Sequence, residues 1–104
     1  MRLGQLWQEA GLPGGALSVV NGSGRSVGEA LCIHPEVTMV TFTGSTDVGL
    51  RLGELTARQN KRIMLELGGK SPNIVLEDAD FTRAVPGAAS AIFYGQGQIC
   101  AAGS

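Results

Sequence analysis

The sequence has one histidine, two cysteines and no Cys-x-x-Cys pair. Structural zinc sites draw on about four such ligands at close spacing, so none is expected here. Two cysteines, Cys32 and Cys100, are too few for a disulfide framework and fit a reducing compartment, making the cytoplasm the expected location. No run of about 18 apolar residues occurs, so no transmembrane helix is expected. Basic residues are scattered. Their longest run is the pair Lys61-Arg62, and the net charge is −1. Neither nucleic acid nor an anionic membrane surface has an electrostatic reason to bind. The opening Met1-Arg2-Leu3-Gly4-Gln5 lacks the apolar core of a secretory signal.

What is present is ordinary globular material with one excess. The 104 residues are about one domain in length, and 43% hydrophobic with 16% charged residues argues against disorder. Sixteen glycines stand well above the roughly 7% background. They gather at Gly14-Gly15, Gly22 to Gly28, Gly44 to Gly49, Gly68-Gly69 and Gly95 to Gly97, between periodic segments. Backbone that turns tightly or approaches a ligand has this distribution.

Leu3, Leu6, Trp7 and Ala10 form an i, i+3, i+4, i+7 stripe, so the chain opens inside a helix that Gly11-Leu12-Pro13-Gly14 ends. Ala16 to Val20 reads as a short buried strand. A helix follows from Ser23-Gly24-Arg25-Ser26 to about Leu31. Thr38 to Phe42 is β-branched and aromatic, a second strand, and Thr43-Gly44-Ser45-Thr46 opens a helix carrying Val48, Leu52 and Leu55. Lys61 to Leu67 and Asn73 to Leu76 are two further strand candidates. Asp80 can cap a last helix, in which Pro86 predicts a kink or a late start. The alternation predicts an α/β fold with a parallel sheet. The first helix lacks a beginning and the last segment a stop, so the chain reads as part of a larger domain.

Three segments carry chemistry. Phe42-Thr43-Gly44-Ser45-Thr46-Asp47-Val48-Gly49 runs from a strand through a tight turn into a helix, whose unpaired amides can receive a phosphate. The same pattern also serves as an ordinary capped connection. Leu65-Glu66-Leu67-Gly68-Gly69-Lys70 sets a carboxylate between leucines, where apolar surroundings would make it a better base; a solvated or lysine-paired glutamate is the bland alternative. Gly95-Gln96-Gly97-Gln98-Ile99-Cys100-Ala101 places a thiol among small residues, with room for a substrate and with amides that could receive an oxyanion; an inert cysteine is the alternative. Cys32, between Leu31 and Ile33, fits the inert description better, and His34 before Pro35 reads as a loop residue.

Taken together, Phe-Thr-Gly-Ser-Thr at 42–46, Leu-Glu-Leu-Gly-Gly-Lys-Ser-Pro at 65–72, Glu-Asp-Ala-Asp at 77–80 and Gly-Gln-Ile-Cys at 97–100 resemble the ordered signature blocks of the aldehyde dehydrogenase superfamily. The lead-in Glu9 to Gly15 and the block Val20 to Gly24 are similar as well, so the resemblance covers essentially the whole chain. It implies a Rossmann-like NAD(P)-binding domain, its C-terminal part at 1–67, leading into the start of a catalytic domain at 68–104. Cys100 would be the nucleophile that forms a thiohemiacetal and then a thioester, and Glu66 the base for its hydrolysis. Gly44, Ser45, Thr46 and Gly49 would face the pyrophosphate of NAD or NADP, and Gly24 the adenosine half. Ile99 would border the substrate tunnel. The substrate would be a small-molecule aldehyde and the full-length parent a homo-oligomer. Pro86 and the short Ala57 to Lys61 connection depart from the family's pattern. The family's upstream oxyanion asparagine and ribose-binding region, and its downstream oligomerisation arm, are not in this sequence, so the chain is expected to be inactive alone. The rival reading is a non-catalytic nucleotide-binding or interaction module on the same fold.

Overall fold

The computed structural model describes residues 2–104. Its organising unit is a strand–helix–strand crossover. Strand β1 (Met39–Thr43) and strand β2 (Arg62–Glu66) pair in parallel, in register from Met39 opposite Arg62 to Thr43 opposite Glu66. The helix between them, Thr46–Ala57, packs on both strands, as a parallel pair requires. In β2 the half-buried Ile63 and Leu65 alternate with exposed Arg62, Met64 and Glu66, the period-2 pattern of a sheet covered on one face.

In chain order the helices are α1 (Arg2–Glu9), α2 (Glu29–Ile33), α3 (Thr46–Ala57) and α4 (Phe81–Phe93). A π turn at Gly24–Gly28 leads into α2, capped by the Ser23 hydroxyl, which accepts from the Ser26 amide at 3.1 Å. Helix α2 lies on α3, and the small core sits there: Cys32 and Leu52 are its buried apolar residues. Buried Thr56 donates its hydroxyl proton to the Leu52 carbonyl at 2.9 Å, and among the described residues no buried side-chain polar atom lacks a partner.

Two of the four expected strands do not form. Ala16–Val20 has no regular secondary structure and, among the described residues, no neighbouring strand; Val19 instead lies near Gly4 of α1. Asn73–Leu76 likewise forms no ladder. Beside it, Ser71 makes an isolated parallel bridge with Gly103, and the Asn73 amide donates to the Ser104 carbonyl at 3.1 Å. A strand is a relation to a neighbour, and apolar runs supply only half of it.

Helix α4 begins at Phe81, with the Asp80 carboxylate accepting from the Thr82 amide at 2.9 Å. The start is therefore not delayed, and the helix runs continuously through Pro86. A 3₁₀ turn at Tyr94–Gly97 follows, in which Gly95, Gln96 and Gly97 all have positive φ, of 58°, 61° and 68°.

The molecule is open. Its radius of gyration is 19.5 Å, against about 13 Å for a compact domain of this length. Its accessible surface of 8240 Å² compares with roughly 5,500 Å² expected for a folded monomer of this mass.

Candidate functional site

Helix α3 begins where β1 ends, at an exposed corner made by Gly44, Ser45 and Thr46. Ser45 is the N-cap: its carbonyl accepts from the Gly49 amide at 3.0 Å, and its hydroxyl makes a long contact of 3.5 Å with the Val48 amide. The Gly44 amide donates to the Glu66 carbonyl at 3.0 Å, extending the sheet one step past Thr43. That amide is therefore committed to the sheet. The donors left for an anion are the first amides of α3, at Thr46 and Asp47, with the Ser45 and Thr46 hydroxyls beside them. Gly49 differs from the other loop residues. It is buried, and a Cβ there would come within 2.4 Å of Leu67 Cδ2, so glycine at 49 lets α3 settle onto the end of β2.

Between this corner and the turn at Gly24 lies a groove of about 530 Å³. Phe42, Val48 and Leu52 give it an apolar wall, and Gly24 and Arg25 form its rim. Across it, Arg51 of α3 holds Glu29 of α2 by two bonds of 2.8 and 3.0 Å. The Arg51 guanidinium keeps the Glu29 carboxyl below its ordinary range. Nothing in the sequence pattern announced this pair, because its members belong to different helices.

Glu66 closes β2 with its side chain on the exposed face, while Leu65 and Leu67 turn toward α3. The apolar surroundings expected from its leucine neighbours are thus on the opposite face of the strand. Cys100 is also exposed, in the turn after α4. That turn is tied down just after Cys100: the Gly103 amide donates to the Ala91 carbonyl at 3.2 Å, and the Ser104 amide to the Ser71 carbonyl at 2.9 Å.

The loop after β2 approaches the main chain of Cys100. A Cβ on Gly69 would lie 3.0 Å from the Cys100 carbonyl oxygen. Three residues of chain reach at most ~11 Å, so Glu66 lies within that distance of the residue that meets Cys100, although the two are far apart in sequence. Gly68, next to Gly69, faces the Thr46 hydroxyl at 3.8 Å. The start of α3 and the main chain of Cys100 therefore both approach the Gly68-Gly69 loop, which follows shortly after Glu66. The glycine pair was visible in the sequence, but not which partner each glycine approaches.

Cys32 is buried, and that burial pushes its thiol above the ordinary range. The His34 ring accepts from the Glu36 amide at 3.3 Å in its loop. Among the described residues no group of three or more His, Cys, Asp or Glu side chains could hold a metal ion, and no helix is long and apolar enough to cross a membrane.

The aldehyde dehydrogenase family model matches residues 1–104. The chain belongs to the aldehyde dehydrogenase family. It is 56% identical over 104 residues to a phenylacetaldehyde dehydrogenase of Pseudomonas fluorescens, covering 100% of this chain and 21% of that protein. The crystal structure of an NAD-dependent aldehyde dehydrogenase from Sinorhizobium meliloti superposes with a TM-score of 0.95 at 50% identity, over 99% of this chain and 20% of that one. A betaine aldehyde dehydrogenase from Staphylococcus aureus, solved in complex with NAD+, superposes with a TM-score of 0.92 at 41% identity, over 99% and 20% of the two chains. This aldehyde dehydrogenase chain thus spans about a fifth of the length of the relatives it matches. The α/β reading of the sequence, with a parallel sheet, holds in the structure and in these relatives.

Proposed function

We propose that this chain supplies the reacting core of an enzyme that oxidises aldehydes to carboxylic acids with NAD or NADP. Cys100 is the nucleophile in this reading and Glu66 the general base. The convergence of three separate motifs on the Gly68-Gly69 loop supports it: the Thr46 hydroxyl beside Gly68, the Cys100 carbonyl against Gly69, and Glu66 at the head of the loop.

The residues present fit a dinucleotide. The start of α3 offers free amides and two hydroxyls for a pyrophosphate, and the adjoining groove, with its apolar wall and the Gly24 rim, fits a nucleoside. Gly44 contributes by its turn, Ser45 and Thr46 by donors, and Gly49 by letting the helix sit low enough to aim them. When bound, the nicotinamide accepts the hydride. The chain's own residues do the rest. The Cys100 thiolate adds to the aldehyde carbonyl carbon, forming a C–S bond and a thiohemiacetal oxyanion. Loss of hydride leaves a thioester. Glu66 takes a proton from water as that water attacks the thioester carbon, and the C–S bond breaks to release the carboxylic acid and the thiolate. Residues 1–67 would serve cofactor binding, and 68–104 would begin the catalytic domain.

The test is to place this segment in the matching fifth of the Sinorhizobium meliloti relative. Cys100→Ser abolishes aldehyde-dependent nicotinamide reduction, and Cys32→Ser retains it. Glu66→Gln keeps a pre-steady-state burst of reduced nicotinamide but slows steady turnover ~10²–10⁴-fold, as expected for a lost general base. Turnover surviving Cys100→Ser would overturn the nucleophile assignment, whereas an assembled protein that binds the cofactor but never reduces it would favour a non-catalytic nucleotide-binding module.

A further inference from the structure

Gly68 and Gly69 are adjacent and both exposed, yet their surroundings are opposite. A methyl group on Gly68 would meet only the Thr46 hydroxyl, at 3.8 Å, an ordinary contact. On Gly69 it would meet the Cys100 carbonyl oxygen at 3.0 Å, with the Ser71 hydroxyl next at 3.8 Å. The first neighbour is main chain, which cannot swing aside as a side-chain tip can. Neither glycine has a positive φ, so backbone conformation is not what requires glycine at either position.

The Cys100 main chain has little freedom to retreat. Behind it the Ala102 amide donates to the Ile99 carbonyl at 2.9 Å, and Gly103 and Ser104 are hydrogen-bonded to Ala91 and Ser71. In front, Gly95 closes on the same turn, where a Cβ would come within 2.9 Å of the Ile99 side chain, and Gly97 packs back on α4, where a Cβ would come within 3.2 Å of the Ile92 carbonyl. The turn is thus held by hydrogen bonds on one side, and Gly69 forms its stop on the other.

We infer that Gly69 is a positioning residue that sets how close the Cys100 main chain comes to the loop carrying Glu66, while Gly68 has no such role. The inference rests on Cys100 being the nucleophile. A methyl group at 69 displaces the Cys100 backbone by a few tenths of an ångström or more, and so moves the sulfur away from the place where aldehyde and base meet. Misplacement of about 1 Å can cost on the order of 10²-fold in rate.

The experiment compares Gly69→Ala, Gly68→Ala and Cys100→Ser in the assembled enzyme described above. Turnover is measured together with alkylation of each cysteine by iodoacetamide across pH. Expected for Gly69→Ala are a fall in kcat of ~10–100-fold, an unchanged KM for the nicotinamide cofactor, and an altered pH profile of Cys100 alkylation. Gly68→Ala, whose methyl group faces the Thr46 hydroxyl and not the Cys100 main chain, should leave the pH profile of Cys100 alkylation as in the parent. Buried Cys32 reports unfolding, because it gains reactivity only if the domain opens. A Gly69→Ala protein with exposed Cys32 has lost its fold rather than its alignment, which overturns the inference, as does parent-like kcat with a parent-like Cys100 profile. An equal change of that profile in Gly68→Ala and Gly69→Ala overturns it too. Turnover persisting in Cys100→Ser would sink the nucleophile assignment itself, a different result from any of these.

Discussion

The two thiols of this chain sit in opposite surroundings. Cys32 is enclosed between α2 and α3, and Cys100 stands on the surface turn after α4. Native protein treated with iodoacetamide is therefore expected to be labelled at Cys100 and spared at Cys32 until denaturant is added, as peptide mass spectrometry would show. The raised pKa of Cys32 also has a stability consequence. The folded state holds that proton more tightly than the unfolded chain does. The contribution is fully present below the ordinary thiol pKa of about 8.5, and is lost as pH rises through the higher folded value. Thermal melts of the parent should fall on going alkaline, and Cys32→Ala should flatten that fall while lowering stability overall. A parent curve no steeper than the variant's would mean that burial does not hold the thiol neutral. Glu29 behaves in the opposite sense. Its lowered pKa makes its bond to Arg51 stabilising above the ordinary carboxylate range and progressively lost in acid.

Helix α3 contains two glycines whose replacement should have opposite effects. Gly49 touches Leu67 so closely that a methyl group must drive that side chain out of place. The strain, typically ~1–3 kcal/mol, outweighs the helix-propensity gain of about 1 kcal/mol from alanine. Gly53 has Leu65 at 4.0 Å, a normal contact, so there only the gain remains. Gly49→Ala should lower the melting temperature and Gly53→Ala raise it; the same sign at both positions would remove the packing account of Gly49. In α4, exposed Pro86 lies inside the helix and removes one backbone donor. Pro86→Ala should stabilise by about 3 kcal/mol, read from the shift of a denaturant melt.

The same elements mark how far the sequence could be read. Met39–Thr43 and Arg62–Glu66 were legible because β-branched residues and alternation coincide with a partner lying one helix away in the chain. Asp80 and Ser45 were legible as caps because a side-chain oxygen at a helix start acts locally. Ala16–Val20 and Asn73–Leu76 were misread as strands because their apolar character says nothing about what lies beside them. Glu66 and Cys100 stood out only as members of ordered blocks. That Gly69 abuts Cys100, and that Glu29 grips Arg51, depends on how separate elements meet, and no short window of sequence carries that information.

At the scale of the whole molecule, apolar surface is the dominant fact. Leu3, Ile74, Leu76, Val85 and Phe93 are each more than 60% exposed, and among the described residues no further strand pairs with either edge of the two-stranded sheet. Such surfaces recruit other chains. The isolated 104-residue chain is expected to associate in light scattering and to show no aldehyde-dependent nicotinamide reduction. A monomer with a cooperative melt and measurable turnover would contradict both expectations.

The strand–helix–strand unit from Met39 to Glu66 has a kinetic consequence. All its contacts close over a short, uninterrupted stretch of chain, so it has little loop entropy to overcome and should form before the outlying helices find partners. Amide hydrogen exchange would reveal this as a gradient. Amides of β1, β2 and the middle of α3, together with the Gly44 amide held by Glu66, should exchange slowest, and those of α1 and of the segment from Asn73 to Leu76 fastest. The corner proposed to hold the phosphate and the strand end that carries Glu66 would then be ordered in a single early step, ahead of the turn that delivers the thiol.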